Sequence, residues 1–330
     1  MASGHVQVIE AGSLTAVGTG QSPLWAPNGH SLLYSALDFI GLTADFYLAD
    51  THGAHSHHLI GKAYPYVNPS WTSDSGRVVY TSVAPGSKAT ASLIKLNINT
   101  YTVASGKTQT VAQTSLGGGC SQAFTALQSA MTLAEGAYRG VPSTLILAPN
   151  NTVVVQSSCT GVGLTVLRPG ASPLQLPTWE GGVLSPDGKT VAAVISSPAS
   201  SAGQIGLLTL ATGKTQVLAP HLGANCVIWS TDGSALFLAT QPANPATGMA
   251  HIYAMTRDGS QYINVAALKA AGIVHLSLDP TGQNLAIAVV GSASAKAAAA
   301  PQVEVYNVLT QKSGQDQLLY EGGSQPSWRP

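Results

Sequence analysis

Four of the nine histidines are crowded into one short stretch, as His52, His55, His57 and His58. Imidazoles at this spacing hold Zn²⁺, Ni²⁺ or Cu²⁺ when a turn gathers three of them, and His52, His55 and His57 are the set that such a turn would gather. His57 and His58 are neighbours, so on a strand they point to opposite faces and one is lost as a ligand. The same stretch, Asp50-Thr-His-Gly53 running on to Leu59, also reads as the exposed turn of an outer hairpin, where polar residues are routine. A divalent metal at this turn is the one cofactor that the residues point to; elsewhere none is implied.

Glu135, Tyr138 and Arg139 bring an acid, an aromatic ring and a base together within five residues. Tyr and Arg are the residue types that anchor partners at interfaces, and a salt-bridged loop staple is the alternative reading. Trp179 stands outside the register of the other tryptophans and is expected to be an exposed contact. Of the three cysteines, Cys120 and Cys159 sit in turn-like sequence; a disulfide between them would pin the segment they enclose and would fit an oxidising compartment. Cys226 lies in an apolar strand pattern and reads as a small buried hydrophobe. No Cys-x-x-Cys pair is present, which excludes a zinc ribbon or a thioredoxin-type site. No Gly-x-Ser-x-Gly elbow occurs either. The acids Asp45, Glu135, Glu180 and Glu304 are not paired by any motif, so no catalytic residue is singled out.

Composition narrows the class further. Apolar residues make up 45% of the chain and charged ones only 8%, where an ordinary soluble domain carries roughly 25% charged residues. Lys+Arg and Asp+Glu balance at 14 each and the basic residues form no cluster, which argues against nucleic acid as a partner. A surface of Ser, Thr, Gln, Asn and Gly is commoner outside the cytoplasm, so an extracytoplasmic location (secreted, periplasmic or cell surface) is expected. No apolar run approaches the ~20 residues that span a bilayer, and Met1-Ala-Ser-Gly4 has neither the basic nor the apolar region of a targeting segment.

The elements that must position these residues come from a repeat. Ser22-Pro-Leu-Trp-Ala-Pro-Asn-Gly29 returns as Asn68-Pro-Ser-Trp-Thr-Ser-Asp-Ser75, Val183-Leu-Ser-Pro-Asp-Gly188, Ile228-Trp-Ser-Thr-Asp-Gly233 and Ser277-Leu-Asp-Pro-Thr-Gly282. A degenerate copy is Leu145-Ile-Leu-Ala-Pro-Asn-Asn151, and Gln325-Pro-Ser-Trp-Arg-Pro330 is truncated. The equivalent positions are Trp25, Trp71, Leu147, Leu184, Trp229, Leu278 and Trp328, most of them about 40–50 residues apart. Strand–turn–strand content at that period is the signature of propeller blades, each a small four-stranded sheet. Asp-Gly and Asn-Gly tolerate the positive φ of a tight turn, and the Pro before them has its own φ fixed at about −65°.

One domain over residues 1–330 is therefore expected, an all-β propeller of seven blades, with six as the alternative. The seventh would be composite: strands at His5–Glu10 and Leu14–Val17 beside an inner strand at residues 325–328, closing the ring and covering edges that would otherwise aggregate. The oversized interval carries an insertion, residues 114–143, with a short helix or ordered loop expected around Ala123–Ala137. The tryptophans of the repeat are expected to pack blade against blade, and its Asp residues to stabilise turns rather than hold Ca²⁺, since no alternating Asp-x-Asp-x-Asp loop occurs.

The signature carried by Pro69-Ser70-Trp71, Ser185-Pro186-Asp187-Gly188, Trp229-Ser230-Thr231-Asp232-Gly233 and Pro326-Ser327-Trp328 resembles the WD-like repeats of TolB-type bacterial propellers. That resemblance covers nearly the whole chain. Proteins of this type include periplasmic translocation proteins, sensor-like ectodomains and the gating domains of prolyl-oligopeptidase-like enzymes. It implies a non-catalytic module that binds a protein or small molecule on one face. The alternatives are a self-assembling cell-surface subunit and an enzyme with its site in the central funnel.

Overall fold

The computed structural model describes residues 5–10, 13–38, 43–50, 55–64, 67–87, 93–117, 144–156, 163–197, 200–218, 222–240, 249–268, 272–290, 302–307 and 317–321. Every regular element among them is a β-strand, as Val, Ile, Thr and aromatic residues between Gly, Pro and Asn turns favour. Strands β1 (His5–Glu10) and β2 (Ser13–Thr19) pair as an antiparallel hairpin. Six four-stranded antiparallel meanders follow. The first contains β3 (Gln21–Trp25), β4 (Leu32–Asp38), β5 (Thr43–Ala49) and β6 (His57–Ala63). The second has β7 (Ser70–Trp71), β8 (Arg77–Val83), β9 (Leu93–Thr102) and β10 (Lys107–Gly117). The third has β11 (Thr144–Leu147), β12 (Val153–Gln156), β13 (Leu164–Leu167) and β14 (Leu174–Leu176). The fourth comprises β15 (Trp179–Leu184), β16 (Thr190–Ser197), β17 (Ser200–Thr209) and β18 (Lys214–Leu218). The fifth comprises β19 (Ala224–Trp229), β20 (Ala235–Thr240), β21 (Ala250–Thr256) and β22 (Tyr262–Leu268). The sixth has β23 (Gly272–Leu278), β24 (Asn284–Val290), β25 (Gln302–Asn307) and β26 (Gln317–Glu321).

Consecutive sheets stack face to face, and this is where the core sits. Leu33, Phe46 and Ile60 of the first sheet meet Val78 and Tyr80 of the second. Ile94, Leu96 and Ile98 then meet Leu145, Val153 and Val155 of the third, whose Val154, Leu164 and Val166 meet Val191 and Leu208 of the fourth. Val194, Ile205 and Leu207 face Val227 and Leu236 of the fifth, and Phe237, Ile252 and Val265 face Ile273, Leu276 and Leu285 of the sixth. Sheets covered on both faces need apolar residues at successive positions, which is why β8 and β12 read as runs rather than alternations. Each such buried side chain contributes about 1.5–3 kcal/mol. First strands lie side by side from one sheet to the next, β11 by β15, β15 by β19 and β19 by β23. This is the propeller arrangement that the repeat predicts. The β1–β2 hairpin packs Val6 onto Trp25, Leu32 and Tyr34. The strand expected at residues 325–328 and the helix expected around residues 123–137 lie outside the described residues.

The turn joining the first two strands recurs in all six sheets, one residue shorter in the third. Its first N–H bonds back across the turn, as in Ser185 N to Thr190 O (2.8 Å), and its fourth bonds to the first carbonyl, as in Gly188 N to Ser185 O (2.8 Å). The fourth residue is left-handed throughout: Gly29, Ser75, Asn151, Gly188, Gly233 and Gly282 have φ between 59° and 74°. Successive turns touch. A Cβ on Gly188 would lie 3.0 Å from Pro149 of the preceding sheet, one on Gly282 3.0 Å from Thr231, and in the first pair Asn28 N donates to Ser75 Oγ (2.9 Å). Gly188→Ala therefore combines a left-handed alanine with a crowded Pro149, and is expected to cost about 1–2 kcal/mol in chemical denaturation. A neutral result would mean that the two turns can part freely.

Candidate functional site

The third residue of each turn supplies the chemistry that the repeat seemed to offer. In every copy its side-chain oxygen accepts the N–H two residues on: His30 N to Asn28, Gly76 N to Asp74, Thr152 N to Asn150, Lys189 N to Asp187 and Ser234 N to Asp232 at 3.0–3.1 Å, and Gln283 N to Thr281 at 3.3 Å. In three copies a first-position hydroxyl, of Thr72, Ser185 or Ser230, completes the unit. Ser230 Oγ donates to Asp232 and accepts Ala235 N (2.9 Å), and Ser185 does the same with Asp187 and Thr190 N (3.0 Å). The sixth copy exchanges the two roles. Asp279 stands first and accepts Asn284 N (3.0 Å), while Thr281 stands third and donates to Asp279 (2.8 Å). The carboxylates are occupied as turn acceptors, as a turn-stabilising role requires.

Those bonds depress the acids. The Ser234 N–H and the Ser230 hydroxyl hold Asp232 down to about 2, and the Ser260 N–H and the Thr256 hydroxyl do the same for Asp258. The Thr72 hydroxyl lowers Asp74, and the Ser185 hydroxyl lowers Asp187 with further help from Arg257. At Asp279 burial pushes upward but is outweighed by the bonds from Asn284 and Thr281. Each group binds a proton less readily folded than unfolded, so its contribution is complete above the ordinary carboxylate range and drains away as pH falls below it, for Asp232 and Asp258 toward about 2. Thermal unfolding from pH 7 to 2 is expected to show a midpoint insensitive to these acids above about pH 5 and falling below about pH 4. Asp232→Asn, which keeps an acceptor oxygen, should make that fall shallower.

Three of the four clustered histidines lie among the described residues. His55 Nδ1 lies 2.9 Å from Asp50, and His58 lies 3.7 Å from Asp45 with its ring edge-on to Tyr47. His57, in β6, is exposed. Among the described residues no three potential ligands gather, and His52 lies outside them. Glu135, Tyr138, Arg139, Cys120 and Cys159 also lie outside the described residues. Cys226 packs on the core between the fifth and sixth sheets, and burial pushes its thiol up to about 11, which makes it an inert sulfur. Glu180 accepts from the Ser196 hydroxyl.

Trp179 is corrected: it is 6% exposed, not a surface contact. The register of β15 slips by one residue between Glu180 and Val183, at Gly181 with φ 65°. That bulge turns Trp179 onto the same face as Leu184, where both join the core against the third sheet. A Cβ on Gly206 would sit 2.6 Å from its Cζ2, so β17, beyond β16, leaves room for the indole. Two of the repeat tryptophans, Trp71 and Trp229, pack sheet against sheet by one rule. Trp71 Nε1 donates to Leu24 O and Trp229 Nε1 to Val183 O, both at 3.1 Å and both across to the preceding sheet.

One feature carried a signal in the sequence that the reading of the repeat passed over. The turn between β21 and β22, Thr256-Arg-Asp-Gly259, is a further copy of the same unit placed on an outer hairpin: Thr256 donates to Asp258, and Gly259 has φ 74°. It carries Arg257 across to the fourth sheet. There the guanidinium bonds Thr190 Oγ1 (2.8 Å), pairs with Asp187 (3.3 Å) and lies over the Trp229 ring at 5.1 Å from its centroid. Beside it a cleft of about 660 Å³ opens between the outer halves of the fourth and fifth sheets, walled by Thr209 and Gln216 on one side and by Arg257, Asp258, Ser260 and Gln261 on the other.

No family model and no curated protein matches the chain. Solved structures do. An oligogalacturonate lyase from Vibrio parahaemolyticus is 10% identical over 89% of this chain and 80% of its own, at a TM-score of 0.58. The β-propeller domain of the Trilobed protease from Pyrococcus furiosus, described as having an open velcro topology, is 9% identical over 94% and 86%, at 0.57. A putative TolB from Agrobacterium tumefaciens is 15% identical over 96% and 90%, at 0.52. The chain spans 59% of the length of a TolB from Acinetobacter baumannii that it also matches. At these identities the likeness is one of fold: this is a β-propeller similar to TolB and to the propellers of enzymes.

Proposed function

We propose that the chain is a non-catalytic binding or sensing propeller of a bacterial extracytoplasmic protein, and that it takes a protein or small-molecule partner on one end of the disc. The observation that carries this reading is the difference between the two ends. At one end, six closed turns satisfy their own backbone groups and touch one another. In an antiparallel meander the links from second to third strand and from fourth strand to the next sheet leave from the opposite end, and the two longest connections belong there: residues 118–143 between β10 and β11 and 291–301 between β24 and β25. Long connections on a rigid scaffold are where recognition is usually placed. Glu135, Tyr138 and Arg139 belong to the longest of them. Fold likeness to a putative TolB supports a propeller that works by contact, and also supports the extracytoplasmic location.

Photo-crosslinking in producing cells tests it. Benzoylphenylalanine at position 138 is expected to give defined adducts in the cell envelope, and the same residue at position 189, on the turn end, to give none. Adducts from position 189 alone, or from neither position, would overturn the reading.

A further inference from the structure

The cleft beside Arg257 has a chemistry of its own. Among the residues that wall it, Thr209, Gln216, Ser260 and Gln261 offer hydroxyl or amide groups, Leu207 gives it an apolar patch, and Arg257 and Asp258 are its charged members. Arg257 is held in place before any ligand arrives, by Asp187, Thr190 and the Trp229 ring. Two of its five N–H donors are engaged in those bonds, which leaves donors for a ligand at little entropic cost. Its charge is already matched by Asp187, and Asp258 adds a carboxylate to the same wall, so the cleft has no positive excess to reward an anion. What it rewards is a neutral molecule with many hydroxyls.

A second observation points the same way. The face of β21 and β22 that looks toward the fourth sheet is set by Met255 and Tyr253, which pack on the core between the two sheets. Tyr262 pairs with Met255 and Asn264 with Tyr253, so all four share that face. Tyr262 follows Gln261 of the cleft and is 47% exposed. Its ring meets Tyr253 at 5.9 Å, which meets His251 at 6.0 Å, while Asn264 Nδ2 lies 2.9 Å from His251 Nδ1. An aromatic row with an amide beside it therefore continues from the polar cleft along the outer hairpin. Sugar rings present apolar C–H faces to aromatic rings and hydroxyl edges to amides, hydroxyls and guanidinium donors.

We infer that the gap between the outer halves of the fourth and fifth sheets is a binding site for a neutral oligosaccharide, with hydroxyls read by Gln216, Gln261 and Arg257 and a ring stacked on Tyr262. The site lies away from the end assigned to the partner above, so its failure leaves that reading untouched and the converse holds too.

A neutral-glycan array with the whole chain, followed by titration of the best trisaccharide against Trp fluorescence, tests this, since Trp229 under Arg257 serves as the reporter. Saturable binding is expected, weakened about tenfold or more by Gln216→Ala/Gln261→Ala and again by Tyr262→Ala. All three side chains are exposed, so thermal midpoints should stay put. No binder on the array overturns the inference. So does a neutral glycan whose affinity ignores these substitutions, or a trigalacturonate that binds more tightly than every neutral trisaccharide.

Discussion

Trp229→Ala is expected to lower stability by about 3–5 kcal/mol, the range for emptying a buried aromatic site. Trp229 is wedged between the fourth and fifth sheets among Val194, Leu207, Val227 and Leu236. Its loss leaves a cavity that rigid strands cannot close, an unpaired Val183 carbonyl, and Arg257 without the ring beneath it. Trp229→Phe separates these effects. The ring volume is largely kept while the N–H is lost, so a cost of about 1–2 kcal/mol is expected. Trp71→Phe should behave alike, because its indole makes the same bond to Leu24 O. Urea denaturation followed by circular dichroism reads all three. A Trp229→Ala penalty below about 1 kcal/mol would mean that the sheets are held by their aliphatic layers alone, and that the tryptophan recurs for some other reason.

The contrast between Trp229 and Trp179 shows what a sequence discloses of such a fold. The turn unit was legible because its parts are local: an Asp, Asn or Thr acceptor and, in the next position, a residue tolerant of positive φ must follow one another in the chain. Even the exchange at Asp279 and Thr281 preserves the spacing. Strand order followed from the repeat, since each unit builds one meander. Trp179 was illegible because it stands outside the repeat. With the fourth sheet covered on both faces either face would bury it, and the bulge at Gly181 decides only that it joins Leu184 against the third sheet. Arg257 was hidden differently. Its partners Asp187 and Thr190 are 70 and 67 positions away, and nothing in a turn sequence tells which neighbour it will reach. Cleft chemistry in a repeat protein arises between units, so it is written in no unit.

Removing residues 322–330 is expected to have the other large effect. The reason lies in edges rather than in any single contact. The β1–β2 hairpin is a two-stranded sheet. It packs Val6 on Trp25 and Leu32, yet two strands alone are marginal in water. The sixth sheet has a face that looks away from the fifth and needs a neighbour, as every earlier sheet does. The deleted segment contains Pro326-Ser327-Trp328, a further copy of the repeat with the same tryptophan. If that copy supplies the inner strand beside the hairpin, truncation opens a gap on two sides at once. Apolar faces of the first and sixth sheets are then uncovered together. The expected outcome is a thermal midpoint lower by roughly 10 °C or more, with concentration-dependent association in light scattering. Trp328→Ala in the full chain should reproduce the loss of midpoint without removing backbone, and deleting residues 1–4, which precede β1, should do neither. A truncated chain that melts like the full one and stays monomeric would show that the ends do not join, and that the propeller stands open between its sixth sheet and its first.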